Sequence, residues 1–392
     1  MLTGKEVLDK HYDKLCKMFK FRGSADFDLD EYIASGMAEG VAYNFQLALE
    51  YGDDEMNPAV VGFWRNYGKG LKKELHNPES HARRWASYIP LSAELPENAD
   101  RKYPVIFVNH GGKTTLMETE AYGFTHLAAE EECIVIIPEN MLEWNFLSIL
   151  LEIVETMPVD QSRVYFTGFS SGAFRSISFA YQYPEVVAAT FCGGIEPFSC
   201  FRPHWVASPG NNFEEPLGIA RVKFHPDRMP TMSIAEKFPD SVYEYARKMH
   251  VPYMNYVGTT EPPEHLPFYH AVPASNRPFY KQPEYILDQL NELMRTNNCE
   301  EINVFDFYDC EKSEDLVIRK IGMPLQNTRV ENIGGADRYF GDAVSRDGVP
   351  RCRFVGTENA PHQADLNMAK IAWDYMKHFS RDPVTHESIY TA

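Results

Sequence analysis

Asp160-Gln161-Ser162-Arg163-Val164-Tyr165-Phe166-Thr167-Gly168-Phe169-Ser170-Ser171-Gly172 is the stretch on which the reading of this chain turns. Arg163 to Thr167 is a short apolar run of the kind expected for a buried strand, and Gly172 to Tyr183 carries the 3.6-residue period of a helix. Between them stands Gly168-Phe169-Ser170-Ser171-Gly172, a G-x-S-x-G in the strand–turn–helix setting that exposes a nucleophilic serine on a sharp turn. Such a turn holds its serine in strained backbone. Side chains at positions 168 and 172 would collide with the adjoining strand and helix, which is why glycine is needed there. Free N–H groups at the start of the helix also favour a developing negative charge.

Working outward, the same alternation recurs. Apolar runs at Trp85 to Ile89, Tyr103 to Val108, Cys133 to Ile137, Val186 to Cys192, Val251 to Val257 and Cys352 to Val355 read as strands. Thr119 to Glu131, Phe146 to Thr156 and Pro239 to Met249 read as helices between them. Continuous apolar strands alternating with amphipathic helices predict a mostly parallel sheet covered by helices on both faces. Residues 1–80 read as a helical accessory segment, its helical pattern running on from Asn57-Pro58 toward Leu75. The catalytic unit is expected over 81–392, with cap insertions near 197–237 and 262–350. The second insertion shows a helix near Tyr285 to Arg295 and strand-like pieces at Ile302 to Phe307 and Arg338 to Val344.

The partners of Ser170 follow from chain order, which in this architecture runs serine, acid, histidine. His362 follows the last strand and precedes a helix; of thirteen histidines it is the only one at such a junction, and it is the expected base. Glu261 follows the strand ending at Val257 and is the expected acid, holding the imidazole tautomer; Glu264, Glu196 and the Asp306/Asp309 region are the alternatives. His110-Gly111-Gly112 ends the strand at Asn109, so the N–H groups of Gly112 and Ser171 are the expected oxyanion donors. His110, Trp144, Phe169 and Trp205 are expected to face substrate. Gly112-Lys113-Thr114 does not complete a phosphate loop, because Phe107 stands where the first glycine is required.

The bulk composition narrows the partners. The chain has 392 residues, 44% of them hydrophobic and 24% charged, with a net charge of −18 and no dense Lys/Arg run, so neither nucleic acid nor a membrane surface is expected. No H-E-x-x-H occurs, and Cys200 with His204 is too sparse for zinc, so no metal or other cofactor is expected. Seven cysteines without a C-x-x-C pair, and an N-terminus without an apolar core, read as reduced thiols in a cytoplasmic protein. The N-terminal helices offer a surface through which copies could associate.

The segment Asp160 to Gly172 closely resembles the nucleophile segment of α/β-hydrolases of the polyhydroxybutyrate depolymerase-like and feruloyl-esterase-like groups, related to the first family of carbohydrate esterases. Tyr103-Pro104 through Gly112, Glu143-Trp144-Asn145, Gly258-Thr259-Thr260-Glu261 and Ile371-Ala372-Trp373 are similar more loosely. The resemblance spans about Arg83 to Ser380. It implies the α/β-hydrolase fold and a serine esterase working on a small or oligomeric ester, aromatic or hydroxyacyl in type. Glu261 stands where that family usually has Asp, and Pro361 where it usually has Gly before the histidine. A serine peptidase on the same fold, or a non-catalytic binding protein retaining it, are the alternative readings.

Overall fold

A computed structural model describes residues 3–39, 41–42, 70–80, 82–112, 116–195, 239–261 and 283–392. Its sheet strands are β1 (Leu71–His76), β2 (Trp85–Pro90), β3 (Tyr103–Asn109), β4 (Ile134–Pro138), β5 (Val159–Phe169), β6 (Val187–Gly193), β7 (Tyr253–Gly258), β8 (Gln326–Ile333), β9 (Ala336–Ala343) and β10 (Cys352–Thr357). They form one ten-stranded sheet in the order β1-β2-β4-β3-β5-β6-β7-β10-β9-β8. Only β2 and β9 run against the others, so β4 through β10 is a continuous parallel block. This is the α/β-hydrolase fold.

The strands sort their side chains by parity, as a pleated ribbon must. Val105 and Phe107 of β3 enter one core with Phe146, Leu150, Ile177 and Leu290 from the helices Glu143–Thr156, Ser171–Gln182 and Pro283–Thr296. Ile106 and Val108 enter the other, under the helices Phe124–Glu131 and Met368–Met376. A third cluster joins Val7, Leu15, Phe19 and Tyr32 of the N-terminal helices Gly4–Lys10, Tyr12–Arg22 and Leu29–Ala34, and includes Ala336 of β9. The N-terminal segment therefore has a small core of its own, packed against Ala336 of β9.

Three expectations are corrected. Residues 71–76 are not helical but form β1, the edge of the main sheet. The charged run Lys72-Lys73-Glu74 hides the strand period, because Lys73 is buried by a distant partner: its Nζ lies 2.8 Å from Glu120 Oε1. Second, Ile302 to Phe307 is not strand-like: it leads into the helix Val304–Asp309, whose start is capped by the Asn303 side chain accepting from the Phe305 and Asp306 N–H groups. Third, the stretch 262–350 is not simply a cap, since β8 and β9 extend the sheet itself. The expected cap at 197–237 and the helical stretch from Asn57 up to residue 69 lie outside the described residues.

Among the described residues no helix is long and apolar enough to cross a membrane. The six described cysteines are buried and form no disulfide.

Candidate active site

Because β3, β5, β7 and β10 are parallel, their carboxyl ends open on the same edge of the sheet, where α/β folds gather their chemistry. Ser170 follows β5, Glu261 follows β7, His362 follows β10 and Gly111-Gly112 follows β3. The four segments that sequence singled out therefore meet on one rim.

Ser170 has φ 53° and ψ −121°, a conformation that L-residues avoid. It is locked by the Ser170 N–H donating to the Gly193 carbonyl at 2.8 Å and by its own carbonyl accepting from the Ala173 N–H at 3.0 Å. The flanking glycines do the steric work expected of them. A Cβ on Gly168 would lie 2.4 Å from the Gly172 backbone, and one on Gly172 would lie 2.2 Å from the Asn109 carbonyl oxygen. Both contacts are with backbone, which cannot step aside.

His362 presents Nδ1 to Glu261 Oε2 at 2.6 Å. Glu261 is 1% exposed, and its other oxygen accepts the Gly258 N–H at 2.9 Å. A buried carboxylate held at both oxygens fixes the imidazole with Nδ1 as the donor. The ring of His362 lies against Phe169, the residue before the serine, with centroids 4.9 Å apart. A Cβ on Gly194 would come within 2.9 Å of His362 Cε1, so the glycine after β6 leaves the ring its place. The two loops are also stitched to each other: Asn359 N–H donates to Thr259 Oγ1 at 2.9 Å, and a Cβ on Gly258 would sit 1.9 Å from the Ala360 oxygen.

The loop after β3 abuts the serine turn. Side chains at Gly111 and Gly112 would begin 3.7 Å from Ser170 Cβ and Ser171 Oγ respectively. The Gly111 N–H donates to the Tyr122 hydroxyl at 3.0 Å, which fixes the loop just before Gly112. Tyr122 is in turn delivered by the short helix Glu120–Tyr122, whose Glu120 takes the buried Lys73 ammonium and the Tyr88 hydroxyl.

The expected substrate-facing residues separate. His110 has both ring nitrogens against backbone carbonyls, Gly111 at 2.7 Å and Glu139 at 2.9 Å, so it ties the loop to the end of β4. Phe169 is buried among Tyr122, His362 and the Gly193-Gly194 backbone, and works as a floor. Trp144 is half-buried in the first turn of Glu143–Thr156, its Nε1 without a hydrogen-bond partner among the described residues. Trp205, Glu196 and Glu264 lie outside the described residues, and the Asp306/Asp309 region is an exposed helix. Tyr122, Gly194 and Asn359 were not singled out by sequence, and Gly258 only as the first residue of the Gly258-Thr259-Thr260-Glu261 segment. Only the two glycines carried a signal, each standing at the end of a predicted strand.

Among the described residues no group of three or more His, Cys, Asp or Glu side chains is placed to hold a metal ion. No protein-family model matches the chain, and no curated protein matches it. Solved structures that it resembles include FphF, a fluorophosphonate-binding serine hydrolase of Staphylococcus aureus, at 15% identity and TM-score 0.34, covering 48% of this chain and 79% of that one. Others are an S-formylglutathione hydrolase from Agrobacterium tumefaciens (14%, TM-score 0.31, 48% and 76%) and an acetyl xylan esterase from Aspergillus awamori (13%, TM-score 0.43, 78% and 99%). At such identities and scores these likenesses carry no weight as to reaction or substrate.

Proposed function

We propose that this protein is a serine carboxylic ester hydrolase acting through Ser170, His362 and Glu261. The observation that carries the reading is the 2.6 Å contact between His362 Nδ1 and the buried Glu261 carboxylate, on the rim where the strained Ser170 stands. In this reading Ser170 Oγ attacks the ester carbonyl while His362 Nε2 takes its proton. Glu261 keeps the proton on Nδ1 and stabilises the imidazolium that forms. The N–H groups of Gly112 and Ser171 receive the oxyanion, a contribution of a few kcal/mol to the barrier. The tetrahedral intermediate expels the alcohol, which takes the proton from His362, and water attacks the acyl-serine by the same route in reverse. The resemblance of Asp160 to Gly172 to depolymerase-like and feruloyl-esterase-like enzymes favours hydroxyacyl or aromatic acyl groups as substrates.

The test is covalent. A fluorophosphonate probe should label the wild-type protein at one site and leave Ser170→Ala unlabelled. A panel of acetyl, butyryl, hydroxybutyryl and feruloyl esters, each beside its amide, should then show ester turnover well above amide turnover. An unlabelled wild type would remove the serine hydrolase reading, and amide turnover matching ester turnover would turn it into a peptidase.

A further inference from the structure

The N-terminal helices lie outside the hydrolase sheet, yet their backbone meets both loops of the triad. The helix Tyr12–Arg22 ends with Arg22, whose carbonyl accepts the His362 N–H at 2.8 Å. Two residues on, the Ser24 N–H donates to the Thr260 carbonyl at 2.7 Å, immediately before Glu261. The Arg22 guanidinium also donates to the side chain of Gln363. Asn359 completes the set, its side chain accepting from the Asp28 N–H at 2.9 Å and donating to the Asp28 carbonyl at 2.7 Å.

From these contacts we infer that residues 22–28 are a positioning clasp for the triad, a role that rests on the function proposed above. The contacts are specific to the two loops that must stay in register. One touches the base at its own backbone, one touches the residue next to the acid, and the rest hold Asn359, between β10 and His362, and Gln363, just after it. The last carbonyls of a helix have no partner within it, so the end of Tyr12–Arg22 needs an outside donor, and His362 supplies one. Gly23 allows the chain to turn there: a Cβ on it would lie 2.6 Å from Phe27. The clasp acts through His362 and Glu261 and touches no substrate. Its effect should appear in the chemical step, since a misplacement of about 1 Å at reacting groups costs on the order of a hundredfold in rate.

Two variants open the clasp by different means. Ser24→Pro deletes the N–H given to Thr260, and Gly23 already has the extended conformation (φ −101°, ψ 157°) that a residue before proline requires. Asn359→Gly removes both links to Asp28 while tolerating the left-handed φ of 47° and keeping the N–H to Thr259. Ser24→Ala is the control that keeps the N–H. Active sites are first titrated with a fluorophosphonate probe, so that kcat refers to folded, reactive protein only. The expected result is a fall in kcat per titrated site of about tenfold or more in both variants, with KM within about twofold and Ser24→Ala near wild type. If both variants titrate and keep wild-type kcat, or if the loss lies in KM alone, the clasp is wrong while the triad stands. If the wild type itself does not titrate, both readings fall together. A variant that fails to fold leaves the decision to the other, and the double variant of Arg22→Ala with Gln363→Ala decides if neither folds: kcat unchanged overturns the clasp, and kcat lowered at constant KM supports it.

Discussion

Glu261 reaches His362 across 101 residues of chain, its Oε2 2.6 Å from Nδ1, while its Oε1 accepts the N–H of Gly258, the last residue of β7. The carboxylate is thus braced against the strand from which it springs and can move little without moving the sheet. A glutamate folded back onto its own turn uses its extra methylene to span the distance that a shorter aspartate would leave open.

The acid is therefore the sharpest test of the triad. Glu261→Gln keeps the shape but turns the Nδ1 contact into one that favours the wrong tautomer, and kcat should fall by about ten thousandfold, as the corresponding change does in serine proteases. Glu261→Asp should recover only part of this. Steady-state kinetics on the best ester of the panel would check it. A fully active Glu261→Gln would return the acid to Glu196 or Glu264.

Ser170 and Ser171 separate side chain from backbone. Ser170→Ala should lower kcat by several orders of magnitude with little change in melting temperature, because the triad acts as a unit. Ser171 contributes its N–H in this scheme, and its Oγ has no hydrogen-bond partner among the described residues. Ser171→Ala should stay within a few-fold of wild type. Reversal of the two severities would mean that the turn presents the wrong serine.

How much of this was legible in the sequence depends on the range of the forces involved. The parallel block and the serine turn were readable because apolar runs and close-packed glycines are local consequences of burial. That Glu261 and His362 would come together could be expected from their places after strands, and the structure has them in contact. β1 was not, since Lys73 looks solvent-facing until Glu120 is brought beside it, 47 residues away. β8 escaped for the opposite reason: Gln326–Ile333 is an edge strand without a buried residue, and polar edges carry no apolar period. The contacts of Arg22 and Ser24 with the triad loops span more than two hundred residues and are made largely by backbone, so no side-chain pattern announces them.

Gly258 tests the packing between the acid turn and the base loop. Its missing side chain allows the Ala360 carbonyl to approach, and a methyl group there would stand 1.9 Å from that oxygen. Gly258→Ala should force the loops apart, at a cost of about 1–3 kcal/mol for overpacking. Activity should fall further than stability, because Glu261 and His362 lie on the two sides of the contact. Melting curves and kcat measured together would show it, and an active, equally stable variant would mean that the loops yield easily.

A last prediction concerns stability at the opposite edge of the sheet, where the Glu185 carboxyl is buried just before β6. Burial pushes it from 4.5 up to about 8, against a weaker downward pull from the Arg381 guanidinium. That guanidinium is held by the carbonyls of Val187, Met249 and His250 and is itself lowered to about 9 by burial. The sign follows from proton counting. Between about 4.5 and about 8 the folded protein keeps the Glu185 proton while the unfolded chain has lost it, so stability falls as pH rises through that window. The contribution is complete below the lower value and gone above the upper one, and its size is on the order of a few kcal/mol. Glu185→Gln, which cannot ionise, should therefore melt close to wild type at about pH 5 and clearly above it at about pH 8.5. Thermal melts of both proteins at the two pH values would decide it. Were the variant to lose as much stability as wild type between them, the pH dependence would have to arise elsewhere, and Glu185 would have to be ionised in the folded protein at neutral pH.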